Sequence, residues 1–169
     1  MVANRINPKT KKTISILGST GSIGQATLDI IRANPDTFKV KALTAGADVE
    51  KLYNQAIEFK PEIIAVSDKD KYPWLKDKLS DLDIKVEAGV KGLITVTNLS
   101  VDFVMASIVG AAGLLPTINA LKSCNTLGIA NKECLVSAGD LPRPLKIGGC
   151  SRFRINDITG YIERMEVVK

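Results

Sequence analysis

The sequence contains no histidine. That absence removes the commonest general base and the commonest metal ligand together, so chemistry in this chain falls to carboxylates, lysine or a cofactor. Cysteine is scarce. Cys124, Cys134 and Cys150 are odd in number and none lies in a CxxC pair, which excludes the usual zinc and redox spacings and leaves reduced thiols. No apolar run approaches the roughly 18 residues that a membrane span needs, and the N-terminal MVANRINPKTKK has basic residues without the apolar stretch of a secretion signal. A soluble cytoplasmic protein with no membrane partner is expected.

A basic stripe is also missing, although the net charge is +5. Residues 1–12 carry four basic and no acidic side chains, and residues 142–169 carry six basic against three acidic. The stretch between them holds 13 basic and 15 acidic residues. The excess therefore belongs to the flanks, and the body offers nothing on which nucleic acid would sit.

What is present is enough apolar material, 45% of 169 residues, for one globular domain with a core. Short β-rich runs alternate with helical patterns. Strands are expected at 14–17, 38–44, 63–66, 84–87, 101–106 and 126–130, and helices from about 22 to 33, 48–59, 68–79, 91–96 and 114–123, with a loop at 108–113. The strands are apolar throughout rather than alternating, as in a sheet buried on both faces. This rhythm predicts a doubly wound, Rossmann-like α/β fold, with a mostly parallel sheet and helices on both sides. Ligands gather at the carboxyl ends of such strands, which here are the turn after residue 17 and the segments 45–48, 107–113 and 130–133.

The first of these is ISILGSTGSIGQATLDII, residues 14–31. Ile23, Ala26, Thr27, Ile30 and Ile31 fall at helical spacing after a turn with Gly18, Gly21 and Gly24. Without a Cβ, Gly18 can turn sharply off the strand, Gly21 can admit a pyrophosphate to the backbone, and Gly24 can let the helix pack closely. Ser19, Thr20 and Ser22 add hydroxyls, and the unpaired amides at the helix start favour an anion. The spacing GxxGxxG is a variant of the dinucleotide fingerprint GxGxxG, and a glycine-rich turn that binds nothing is the competing reading. Tyr72 and Lys76 match the Tyr-x-x-x-Lys spacing of short-chain dehydrogenases, but Pro73 and the charged neighbours Asp70, Asp77 and Lys78 read as a solvated helix start.

Three segments in order, GSTGSIG at 18–24, FVMASIVGAAGLLPTINAL at 103–121 and GIANKECLVSAG at 128–139, resemble the N-terminal domain of the 1-deoxy-D-xylulose 5-phosphate reductoisomerase family over about residues 13–140. The resemblance implies an NADPH-dependent oxidoreductase of the non-mevalonate route to isoprenoids. Such an enzyme rearranges and reduces the sugar phosphate to 2-C-methyl-D-erythritol 4-phosphate with Mg2+ or Mn2+, and the complete enzyme is a homodimer. Carried onto this chain, it assigns the cofactor to Thr20, Gly21, Ser22 and Ile23, to Gly46, Ala47 and Asp48, and to Asn131 and Glu133, and it assigns the substrate to Lys132. Asn131, Lys132 and Glu133 also read as a polar helix cap. Asp48 departs from the family pattern. A carboxylate there would repel a 2′-phosphate and could accept from a 2′-hydroxyl, or it could cap the next helix.

The organisation expected is a basic N-terminal extension at 1–12, a dinucleotide-binding domain at 13–141 and an unassigned tail at 142–169. In the tail, Pro142 and Pro144 break the helix the family would continue, Gly148-Gly149 suggests a turn and Arg152-Phe153-Arg154-Ile155 suggests a strand. Its only carboxylates, Asp157, Glu163 and Glu166, form no Asp-Ser-Glu metal motif. The expectation is a truncated chain, inactive alone, with a non-catalytic Rossmann-type nucleotide-binding or interaction module as the alternative.

Overall fold

A computed structural model describes residues 10–130 and the backbone of 152–155. In chain order the elements are β1 (Lys12–Leu17), α1 (Ser22–Ala33), β2 (Phe38–Ala45), α2 (Val49–Phe59), β3 (Ile63–Val66), α3 (Tyr72–Lys78), β4 (Lys85–Ala88), α4 (Gly89–Thr97), β5 (Val101–Ala106), α5 (Leu114–Ala120), β6 (Cys124–Ile129) and β7 (Arg152–Ile155).

Local chemistry sets most of these boundaries. Asn34-Pro35 follows α1, and α2 begins where the Asp48 side chain accepts from the Lys51 amide, 3.1 Å away. The same helix stops at Lys60, held left-handed at φ 45° just before Pro61, which disfavours a further helical residue. Pro73 lies in the first turn of α3, where its missing N–H costs nothing.

The strands form one parallel sheet in the order β4-β3-β2-β1-β5-β6-β7. On one face Leu28 and Ile31 of α1, Leu52 and Ala56 of α2, and Leu75 of α3 pack on Ile14, Ile16, Leu43 and Ile64. On the other, Leu93 and Val96 of α4 and Ala120 of α5 pack on Leu17, Ala42, Ala65, Val104 and Leu127. The sheet is therefore covered on both sides, as the apolar strands require. The β1–β2 register shifts between Ile14 and Ser15, so that Lys41 is the extra residue of a bulge. Val40 and Leu43 reach the same face for that reason, and Lys41 pairs at the edge of the bulge with Glu62, whose pKa it lowers.

Several expectations need correcting. β1 starts at Lys12, inside the basic extension, because Lys12 and Thr13 pair with Phe38 and Lys39. The buried stripe of α1 is Gly24, Leu28 and Ile31, whereas Ile30 is 60% exposed: helical spacing fixes a period but not which way it faces. The stretch 68–79 is a 3-10 turn at Lys69–Lys71 followed by α3. A second 3-10 turn, Ala111–Gly113, occupies part of the expected loop. α5 ends at Ala120 rather than Ser123, because Lys122 and Ser123 donate to Asn119 and Ala120, bonds that tighten its last turn. The tail strand at 152–155 lies beside β6.

At the amino ends of the strands, Asp102 of β5 accepts from the Thr13 amide and the Thr13 hydroxyl, both at 2.8 Å, and from Asn125 at 3.3 Å. One carboxylate thus joins β1, β5 and β6. The Thr13 amide bond holds the Asp102 pKa below its ordinary value, against partial desolvation that raises it, with Thr13 Oγ1, Asn125 and the Lys12 charge adding to the lowering. The stabilisation is present above the ordinary carboxylate pKa, about 4, and is lost as pH falls through the lowered folded-state value. Asp102→Asn should cost about 1 kcal/mol at neutral pH in urea denaturation. The gap from wild type should close as the pH is taken into the acid range, and a gap that persists there would remove the carboxylate from the explanation.

Candidate dinucleotide site

The strand order reverses between β1 and β5, since β2, β3 and β4 lie on one side of β1 and β5, β6 and β7 on the other. The crevice beyond the carboxyl ends of these two strands is where open α/β sheets bind ligands. The glycine turn fills it from one side and residues 107–113 from the other.

Gly18 leaves β1 with φ +84°, a conformation only glycine adopts cheaply. A Cβ there would lie 2.9 Å from the Ser107 carbonyl oxygen, so the two strand ends touch backbone to backbone. Ser107 fixes the contact: its amide donates to Leu17 O at 2.9 Å, and its hydroxyl lies 2.7 Å from Leu17 O and 3.2 Å from Gly18 O. From β2, Thr44 Oγ1 accepts from the Gly18 amide at 2.9 Å and Thr44 O from the Ser19 amide at 2.7 Å. Gly24 packs on the turn itself, because its Cβ position lies 2.3 Å from Gly18 O and 2.6 Å from Ser19 Cα.

Gly21 differs. Its φ of −75° is ordinary, and the nearest atom to a Cβ would be Gly18 O at 3.5 Å, normal contact distance. It is the N-cap of α1 and supplies no side-chain cap, so the amides of Ser22, Ile23 and Gly24 have neither an intrahelical acceptor nor a capping oxygen from Gly21. Gly21 and Ser22 are exposed and Thr20 and Ile23 half-buried. These four residues therefore form an open cradle of amides and hydroxyls at the positive end of a helix, which suits a phosphate.

Beside it lies the loop after β2. Gly46, Ala47 and Asp48 are exposed, and nothing lies within 4 Å of a Cβ added to Gly46. Of the two readings of Asp48, the helix cap is the one observed: Oδ1 accepts from the Lys51 amide and Oδ2 lies 3.4 Å from Lys51 Nζ. On the far side Gly110 sits at φ +71°, with Val109 84% exposed next to it. β6 reaches the same rim, where the Ala130 amide donates to Ala106 O at 3.0 Å. Asn131, Lys132 and Glu133 follow immediately in sequence and lie outside the described residues.

Tyr72 and Lys76 are elsewhere. They line a cavity of about 410 Å³ beside β4, three strands from β1, with Lys76 Nζ 5.5 Å from the centre of the Tyr72 ring. Sequence reasoning missed Thr44, the bonds of Ser107, and above all Gln55, whose position in an amphipathic helix gives no sign of the turn it reaches.

The family model for 1-deoxy-D-xylulose 5-phosphate reductoisomerase matches residues 14–139. The chain belongs to the 1-deoxy-D-xylulose 5-phosphate reductoisomerase family. The Phocaeicola vulgatus reductoisomerase is 49% identical over 132 residues, which are 78% of this chain and 35% of that protein. The Porphyromonas gingivalis reductoisomerase is 48% identical over 132 residues, 78% of this chain and 34% of its own length. The chain thus spans about a third of the curated reductoisomerases it matches. Among solved structures, the Zymomonas mobilis reductoisomerase in complex with NADPH superposes with a TM-score of 0.75 at 39% identity, covering 78% of this chain and 35% of that one. A reductoisomerase in complex with NADPH, fosmidomycin and magnesium gives 0.73 at 45% identity, over 77% and 32%.

Among the described residues no group of three or more histidine, cysteine, aspartate or glutamate side chains could hold a metal ion, and no helix is long and apolar enough to cross a membrane.

Proposed function

We propose that this chain is the dinucleotide-binding part of a 1-deoxy-D-xylulose 5-phosphate reductoisomerase and that its ligand is NADPH. The observation that carries the reading is the contrast among the three glycines of the turn: protein atoms crowd Gly18 and Gly24, while Gly21 stands open beneath amides without intrahelical partners. Thr20, Gly21, Ser22 and Ile23 would hold the pyrophosphate, and Gly46, Ala47 and Asp48 would face the ribose of the adenosine half. By family resemblance, Asn131 and Glu133 would contact the cofactor and Lys132 the phosphorylated sugar. NADPH supplies a hydride for carbonyl reduction when bound; the chain's own part is to orient it through backbone amides.

In this reading residues 13–141 form the binding domain, whose first strand takes in Lys12 and whose sheet gains the strand 152–155; the rest of 1–12 is an extension and the rest of 142–169 a tail of unassigned role. The working place is the cytoplasm, with a second copy as partner in the complete enzyme. The described residues do not fit Mg2+ or Mn2+, so no step is assigned to a metal here. Calorimetric titration of NADPH into the 169-residue chain should give saturable binding, and the absence of any heat or competition would end the proposal. Mixed with NADPH, Mn2+ and the sugar phosphate, the same chain should show no substrate-dependent NADPH oxidation. Turnover comparable to a full-length relative would refute the division of labour.

Cofactor choice offers a separate check. The Asp48 carboxylate stands in the loop where a 2′-phosphate would lie, so NADPH and NADH should be less sharply distinguished than a basic residue there would make them. Asp48→Asn keeps a good capping residue and removes the charge, and Ala47→Arg adds a donor. Together they should shift the affinity ratio toward NADPH by about tenfold, the value of one charge-assisted contact. An unchanged ratio would mean that the loop does not face the ribose.

A further inference from the structure

The buried face of α2 is apolar at Val49, Leu52 and Ala56 and polar at Gln55, which is 7% exposed. A carboxamide in such a place is costly unless its donor and acceptor are both used. Both are used on one residue of another element. Gln55 Nε2 donates to Ser19 O at 3.0 Å, and Oε1 accepts from Ser19 Oγ at 2.7 Å. Ser19 is wholly buried, its amide donates to Thr44 O, and its hydroxyl is also 3.1 Å from that oxygen. Every polar atom of Ser19 is therefore held from α2 or β2, and Ser19 is the residue from which the chain passes into the cradle at Thr20.

We propose that Gln55 is a positioning residue for dinucleotide binding: its two-point grip on Ser19 fixes the peptide that leads into Thr20 and Gly21, and so aims the first amides of α1 at the pyrophosphate. The inference rests on the dinucleotide-binding reading of the turn. Being buried, Gln55 does not itself reach a ligand. Because α2 starts at the Asp48 cap, the same grip also fixes the loop after β2 against the turn after β1, the places this reading gives to the adenosine ribose and to the pyrophosphate joined to it. Among the described residues no titratable side chain is hydrogen-bonded to Gln55, Ser19 or Thr44.

Two variants of the full chain test this with acid-stable NADP+ as the calorimetric probe, and circular dichroism melts identify the temperature at which each is folded. Gln55→Leu fills the space but leaves Ser19 O without its donor, and the affinity of the folded variant should fall about tenfold. Gln55→Glu keeps an acceptor for the Ser19 hydroxyl and regains a donor only when the introduced carboxyl is protonated. Its affinity relative to wild type should therefore rise between about pH 8 and about pH 5.5, a dependence that mere loss of packing would not produce. A folded leucine variant within about twofold of wild type, or a glutamate variant whose ratio is flat with pH, would overturn the role of Gln55 alone. Failure of the wild-type chain to bind NADP+ or NADPH would overturn the dinucleotide reading together with it.

Discussion

Gly24→Ala should lower the thermal midpoint of this chain by roughly 10 °C, about 3 kcal/mol for a domain of this size. An alanine within a helix normally stabilises it by about 0.5–1 kcal/mol over glycine, so the expected effect has the opposite sign to helix propensity. The reason is contact. The added methyl would lie 2.3 Å from Gly18 O, 2.6 Å from Ser19 Cα and 2.8 Å from Ser19 C, all backbone atoms. These cannot turn aside as a side chain does, because Ser19 is bonded to Thr44 and Gln55 and Gly18 is held by Thr44 and Ser107. Accommodating the methyl means moving α1 away from β1 and giving up part of the packing of Leu28 and Ile31. Gly18→Ala should also destabilise, through positive φ and the Ser107 backbone. A Gly24→Ala midpoint equal to or above wild type would show that the helix is not seated on the turn.

This seating was only partly legible in the sequence. GxxGxxG announced a close approach, but the partner surface for Gly24 is the turn's own backbone, and nothing in a string of letters says which atoms fold back beneath a helix. The alternation of apolar runs with helical stretches was sufficient for a doubly wound parallel sheet, since strands such as Ile63–Val66, buried at every position, need cover on both faces. Direction was harder to read. Ile30 falls at helical spacing yet points to solvent, while Gly24, which carries no hydrophobic signal, is buried. Gln55 lies 36 positions from Ser19, and its role exists only once β2 and α2 have folded back across β1. The bulge at Lys41 escaped for a related reason: register is a property of two strands and the pattern of one does not contain it. Asn131, Lys132 and Glu133 stay as the resemblance assigns them.

Gly21→Asp should leave the chain as stable as wild type or slightly more so, and should weaken NADPH binding at least about a hundredfold. The two halves follow from one position. Gly21 is the N-cap of α1, where aspartate is among the best residues and glycine is worse by a few tenths of a kcal/mol. A negative charge there also gains about 0.3–1 kcal/mol from the helix dipole. Space is no obstacle, since the nearest atom to the new Cβ is 3.5 Å away. The same carboxylate would accept from the amides of the first turn and so occupy the place offered to the pyrophosphate. Two unit charges about 4 Å apart near a protein surface repel by about 4 kcal/mol, so even half of that, with the lost amide bonds, accounts for two orders of magnitude. Gly21→Ala, with neither charge nor capping oxygen, should weaken binding far less. The pair of measurements, a melt and a titration, separates a ligand site from a structural turn. A variant that melts early and binds weakly would say that Gly21 serves the fold, and one that melts late and binds as before would remove the pyrophosphate from this cradle.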